Sequence, residues 1–157
     1  MSLSSALQQA RDGGEFDSLS QEIPYARYLG IGMQRDDRGL IFELPFQEKL
    51  IGNHLLPALH GGVVAGFMEH SALLHLMVEQ AQNRLPKTVD FSLDYLRSAG
   101  AKNTYARCEV TRQGRRVAHV QIVCWQDNPD KPVAAARVHF VLEDIVEDKQ
   151  SSDANPL

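Results

Sequence analysis

Cysteine is scarce: the chain of 157 residues has two, Cys108 and Cys124, with no C-x-x-C spacing. That excludes a disulfide framework and gives no zinc-finger pattern. Six histidines are present (His54, His60, His70, His75, His119 and His139), but they form no H-E-x-x-H and no helical i,i+4 pair. No metal site is therefore expected. Basic residues are in deficit, with 16 Lys+Arg against 20 Asp+Glu and a net charge of −4. Neutralising a phosphate backbone needs a basic face, so no nucleic-acid partner is expected. No window approaches the run of about eighteen apolar residues that a bilayer span requires. The opening MSLSSALQQARDGGEF lacks the basic start and long apolar stretch of a secretory signal. The expectation is a soluble, cytoplasmic protein with no membrane partner.

With 43% hydrophobic residues, the chain is long enough for one domain with a sizeable core. Residues 1–20 read as a polar helical extension, with Leu3, Leu7 and Ala10 on one side and Gly13-Gly14 as its stop. A short helix or turn is expected from Pro24 to Leu29. From Gly30 to Phe46 the pattern is a hairpin turning at Asp36-Asp37-Arg38-Gly39. Gln47 to Leu59 reads as loop. The segment His60 to Gln82 has the length of a six-turn helix that is apolar on nearly all sides, the signature of a helix wrapped by other elements. Everything after Pro86 reads as strands: Thr88–Leu96 with Val89, Phe91, Leu93 and Tyr95 on one face, then Tyr105–Arg112, Val117–Gln126 and Val133–Leu142. The fold class is α+β, an antiparallel sheet curled around one long central helix. The main domain is expected over 21–144, and residues 145–157 read as a flexible acidic tail.

Two features of the central helix carry chemistry. Gly61 and Gly62 begin it, at the positive end of the helix dipole, where amides lack intrahelical partners. They serve either close helix–sheet packing or donation to a carbonyl oxygen gaining negative charge. Glu69 is a carboxylate amid apolar residues; burial there would raise its pKa towards that of a general base, unless the adjacent His70 or another chain's Arg pairs with it. The two lie eight residues apart, about 12 Å along the axis, too far to act on one carbonyl group. Two antiparallel helices across a two-fold axis would bring Gly61 of one chain to Glu69 of the other, so an enzyme of this design requires a dimer.

At LHGGVVAGFMEHSA, TVDFSLDYLRSA and TRQGRRVAHVQIVCW the sequence resembles the hot-dog-fold thioesterases of the PaaI-like acyl-CoA thioesterase family, over roughly residues 30–142. The resemblance implies hydrolysis of an acyl-CoA by a homodimer or dimer of dimers. No separate cofactor is implied, coenzyme A being part of the substrate. Gly61, with Gly62, would polarise the thioester carbonyl, and Glu69 of the partner chain would act as general base or nucleophile. Thr88 matches a position whose hydroxyl helps place the water. Asn53 or His54 matches a loop residue contacting the thioester or the nucleophile, an extra residue before His60-Gly61-Gly62 leaving both open. Phosphates of coenzyme A would meet Arg97, Arg115 and Arg116, and the acyl group a tunnel lined by Phe67, Met68 and Phe91, with His60 also at the substrate. The chain departs from the pattern with Glu69 for the commoner Asp and Ser98 for the usual Pro. A hot-dog dehydratase or hydratase using His54 and Glu69 is the alternative enzyme, although such relatives start the helix with Pro-Gly. A non-catalytic acyl-CoA-binding module is the alternative outside enzymes.

Overall fold

A computed structural model describes residues 1–145. Three short helices come first: α1 (Leu3–Gly13), α2 (Asp17–Glu22) and α3 (Pro24–Leu29). The two glycines do stop α1, with Gly14 in the left-handed region at φ 69°. The single extension expected over 1–20 is nevertheless broken, because α2 starts anew at Asp17, an acidic residue in its first turn. Ala6, Leu7 and Ala10 of α1 are buried in the same apolar cluster as the rest of the chain.

The hairpin follows as β1 (Gly32–Asp36) and β2 (Gly39–Leu44), with Asp36 paired to Gly39. Asp36 Oδ1 accepts the Arg38 N–H at 2.8 Å, and Gly39 takes φ 105°, so the turn residues account for the turn. The expected loop over 47–59 contains a 3-10 turn (Glu48–Leu50) and a two-stranded ladder, β3 (Ile51–Asn53) and β4 (Ala58–Leu59). Strands this short carry no readable period, so only the tertiary contact reveals them.

The central helix α4 spans Gly61–Glu79. By length and composition it could cross a membrane, contrary to the expectation that no segment approaches that, but here it is the core helix. Phe67, Met68, Ala72, Leu74, Leu76 and Met77 are fully enclosed. Around it curls one six-stranded antiparallel sheet in the order β1-β2-β6-β7-β8-β5, completed by β5 (Arg84–Tyr95), β6 (Thr104–Gln113), β7 (Val117–Trp125) and β8 (Ala134–Asp144). Strand alternation supplies the inner face: Ala118, Val120, Ile122 and Cys124 from β7, and Ala136, Val138, Phe140 and Leu142 from β8. Fully burying one such aliphatic or aromatic side chain stabilises the fold by about 1.5–3 kcal/mol.

The single alternation expected along β5 is broken. The strand begins at Arg84 and carries Pro86 within it, tolerated because β5 is an edge strand. Its register against β8 slips between Thr88 and Asp90, so Val89 is the extra residue of a bulge. Val89 is 59% exposed and does not share the inner face with Phe91 and Leu93. Before the bulge the inward positions are Pro86 and Thr88, and after it Phe91 and Leu93. The expected tail lies, beyond Ile145, outside the described residues.

Candidate active site

The start of α4 is built by three contacts. Gly52 of β3 lies so close to His60 that a Cβ there would stand 2.7 Å from His60 Cα, which ties the β3–β4 ladder to the helix entrance. The His60 N–H donates to the Leu50 carbonyl at 2.9 Å, and the His60 carbonyl accepts from Val63 at 3.0 Å and Val64 at 3.2 Å. His60 Nδ1 in turn accepts the Gly62 N–H at 2.9 Å, so the imidazole is the N-cap and carries its proton on Nε2. Gly62, expected at the substrate, therefore has its amide engaged. The Gly61 N–H has no acceptor among the described residues. It is the donor left at the positive end of the helix dipole.

Beside it is a cavity of about 400 Å³ lined by Leu59, Gly61, Val64, Tyr95, Arg97 and Val133, among others. Arg97 donates to the Pro132 carbonyl at 2.8 Å, which anchors the guanidinium at this rim. Tyr95, at the end of β5, donates its hydroxyl to the Gly61 carbonyl at 2.6 Å. The sequence alone does not mark Tyr95 as a site residue, because strand alternation carries no sign of the helix end that it meets.

Glu69 lies two turns further along, on a face where Gly62 is exposed and Ala65 half-buried. Its side chain is 34% exposed in the single chain, so the expected burial does not exist within one subunit. His70 does not pair with it closely: the ring Nδ1 donates to the Gly66 carbonyl at 2.8 Å, and Glu69 Oε1 stands 3.9 Å away. Thr88 is half-buried on the inner side of β5. That strand runs antiparallel to α4, since Tyr95 meets Gly61 at one end and Gln80 Nε2 meets the Arg84 carbonyl at 2.7 Å at the other. Thr88 is therefore roughly 20 Å along β5 from the Gly61 end, on the side of Glu69.

Asn53 and His54 are exposed at the tip of the β3–β4 ladder, where Asn53 Oδ1 accepts the Leu55 N–H at 3.0 Å. Phe67 and Met68 are core residues with no exposure, and Phe91 is half-buried. The apolar room beside Gly61 within one chain is lined by Leu59, Val64, Leu96 and Val133. The three arginines do not gather. Arg97 is at the N-terminal end of α4, whereas Arg115 lines a groove of about 420 Å³ with Gln80, Gln82, Arg84 and Gly114 at the other end. Arg116 follows in the same β6–β7 turn, its carbonyl accepting from Leu142 at 2.8 Å. The two ends are about 28 Å apart along the helix.

Set beside known proteins, residues 54–141 match the family model described as the acyl-CoA thioesterase N-terminal domain. The chain belongs to the acyl-CoA thioesterase family. This thioesterase is 27% identical over 115 residues to the medium/long-chain acyl-CoA thioesterase YigI of Salmonella typhimurium, covering 64% of the chain and 74% of the relative. A crystal structure of a Chromobacterium violaceum protein is 44% identical, with a TM-score of 0.73 over 90% of this chain and 99% of that one. A Bacillus halodurans protein crystallised with CoA shares the fold at 18% identity, with a TM-score of 0.65 over 92% of this chain and 90% of that one. The architecture is the hot-dog fold, and the protein is a thioester hydrolase.

Both cysteines of the thioesterase are held as thiols. Burial pushes the Cys108 thiol far up and the Cys124 thiol up to about 12, so thiolate is not formed at neutral pH. Among the described residues no group of three or more His, Cys, Asp and Glu is arranged to hold a metal ion.

Proposed function

We propose that the thioesterase hydrolyses acyl-CoA at a site shared by two copies of the chain, Gly61 coming from one and Glu69 from the other. The observation that carries the proposal is the unpartnered Gly61 N–H on the cavity that also holds Arg97. The acyl carbonyl oxygen accepts this N–H. Water, losing a proton to the Glu69 carboxylate of the partner subunit, attacks the carbonyl carbon. The negative charge then on oxygen is stabilised by the Gly61 amide. As the carbonyl reforms, the C–S bond breaks, and the sulfur leaves with the proton held on Glu69, giving free acid and CoA.

Pairing of two chains is supported by the open face of α4, where Gly62 and Ala65 lead to a carboxylate one-third exposed. It is supported also by β5, a twelve-residue edge strand with Leu85 and Val89 exposed. With Gly61 set opposite Glu69, the two-fold axis passes level with Ala65. The C-terminal end of the partner's helix then overhangs the Gly61 cavity by about 15 Å. Arg115 and Arg116 of the partner subunit would thus reach the phosphates of a CoA whose thioester lies at Gly61. Thr88, on the side of Glu69, helps place the water, and Asn53 or His54 borders the thioester from the β3–β4 tip. Apolar lining by Leu59, Val64, Leu96 and Val133 suits an aliphatic acyl group such as the medium and long chains in the name of YigI.

The test is free-thiol release from acyl-CoAs of increasing chain length, with Glu69→Gln and Gly61→Pro variants assayed separately and mixed. Each homodimer should be nearly inactive. After subunit exchange, activity should return to about a quarter of the wild-type rate, since half the dimers are mixed and each holds one intact site. Failure to recover on mixing, with subunit exchange verified, would sink the shared site. Full activity of Glu69→Gln alone would sink the base.

A further inference from the structure

Two consecutive glycines at the start of a helix have the widest choice of backbone angles in the chain. The Gly61–Gly62 peptide unit is nevertheless held at both ends. Its N–H donates to His60 Nδ1 at 2.9 Å, and its carbonyl oxygen accepts the Tyr95 hydroxyl at 2.6 Å. Tyr95 is 58% exposed, so core packing does not force its ring into place. Water could have satisfied the hydroxyl equally well, yet it points at this one carbonyl. The approach also depends on glycine: a Cβ at position 61 would lie 3.0 Å from Tyr95 Oη and 3.2 Å from Cζ.

We propose that Tyr95 is a positioning residue that fixes the direction of the Gly61 N–H for the developing oxyanion. The inference rests on Gly61 being the oxyanion donor. Clamping the peptide unit that follows Gly61 restricts the two torsions of Gly61 itself, and the amide that precedes them inherits a fixed aim. A donor aimed before the reaction needs no reorganisation when charge develops, which lowers the barrier without tightening ground-state binding. Tyr95 acts only through the backbone, and it loses or gains no proton.

Tyr95→Phe keeps the ring and removes the hydroxyl. Its kcat should fall about ten- to a hundredfold, with KM for acyl-CoA and Tm close to wild type. In a Gly61→Pro background, where the donor is gone and the added Cβ already crowds Tyr95, the same substitution should cause no further loss. In a Gly61→Ala background, which crowds Tyr95 but keeps the N–H, some of the loss should already be present. Wild-type kcat in Tyr95→Phe would overturn the inference. So would an equal loss in the wild-type and Gly61→Pro backgrounds, or a loss explained by lowered Tm. If Gly61→Pro is itself fully active, the donor reading fails and takes this inference with it. If Gly61→Pro is crippled and Tyr95→Phe is not, only the positioning role fails.

Discussion

At the C-terminal end of α4 a single guanidinium, Arg11, takes the Met77 carbonyl through Nε at 3.1 Å and Nη2 at 2.6 Å, the Gln82 carbonyl at 3.1 Å, and Asn83 Oδ1 at 2.8 Å. At the N-terminal end the Gly61 N–H takes nothing among the described residues. Both ends of a helix leave backbone groups without intrahelical partners, and a cation suits the first as an anion suits the second. The chain closes one end with a side chain of its own, from a helix at the other extreme of its sequence. It leaves the other end open to a cavity. Stability is thus built in at one end, and the proposed site for developing charge lies at the other.

The largest effect should come from filling in the open end. Gly61→Pro suits the first helical position, and His60, at φ −61° and ψ 131°, already has the extended backbone that a following proline requires. The substitution removes the N–H and, like alanine, adds a Cβ that crowds Tyr95, and kcat should drop about 10²- to 10³-fold. Gly61→Ala adds a Cβ but keeps the N–H, and should lose only what the disturbed Tyr95 contact costs. Equal losses in the two variants, measured under substrate saturation, would mean that the amide is not the donor. Breaking the closed end should act on stability instead. Arg11→Met strips charge-assisted bonds from partly buried carbonyls and should cost on the order of 2 kcal/mol, roughly 5 °C in Tm. Turnover per folded molecule should remain; a kcat loss as large as that of Gly61→Pro would erase the contrast between the ends.

The smallest effect concerns His75, between the two. Burial is the main cause pulling its pKa below the ordinary 6.5, against the partial opposition of Glu79, while Arg35 adds to the lowering. A histidine kept neutral by folding favours the folded state fully above its unfolded value. That contribution is lost as the pH falls from about 6.5 through the folded value. Tm should therefore decline on acidification below pH ~6.5, and His75→Leu should flatten the decline. An unchanged acid slope in the variant would assign the decline to other groups.

Much of this was legible in the sequence. The all-round apolar run gave α4, and Asp36-Asp37-Arg38-Gly39 gave the first hairpin, because both signals are local. His60-Gly61-Gly62 gave the amide donors, although only the cap formed by His60 shows that one of the two is engaged. Contacts between distant segments were not legible. Tyr95 is 34 positions from Gly61, and Arg11 is 66 from Met77. The separation of Arg97 from Arg115 and Arg116 depends on which end of the sheet each turn reaches, and that follows from strand order rather than from residue type. Alternation along β5 misled for a related reason: the bulge is a matter of register against β8.

Val89 also has a consequence for how this chain tolerates change. Substitution there meets solvent on one side and a strand edge on the other, and most side chains will fit. Deletion should preserve the pairing too. Without Val89, Thr88 and Asp90 would still face Phe140 and His139, and Thr88 and Phe91 would stand two positions apart on the inner face, so the two halves of β5 keep their phase and only the local bend is lost. What position 89 contributes is therefore curvature rather than phase: the strand alternates without it and bends because of it.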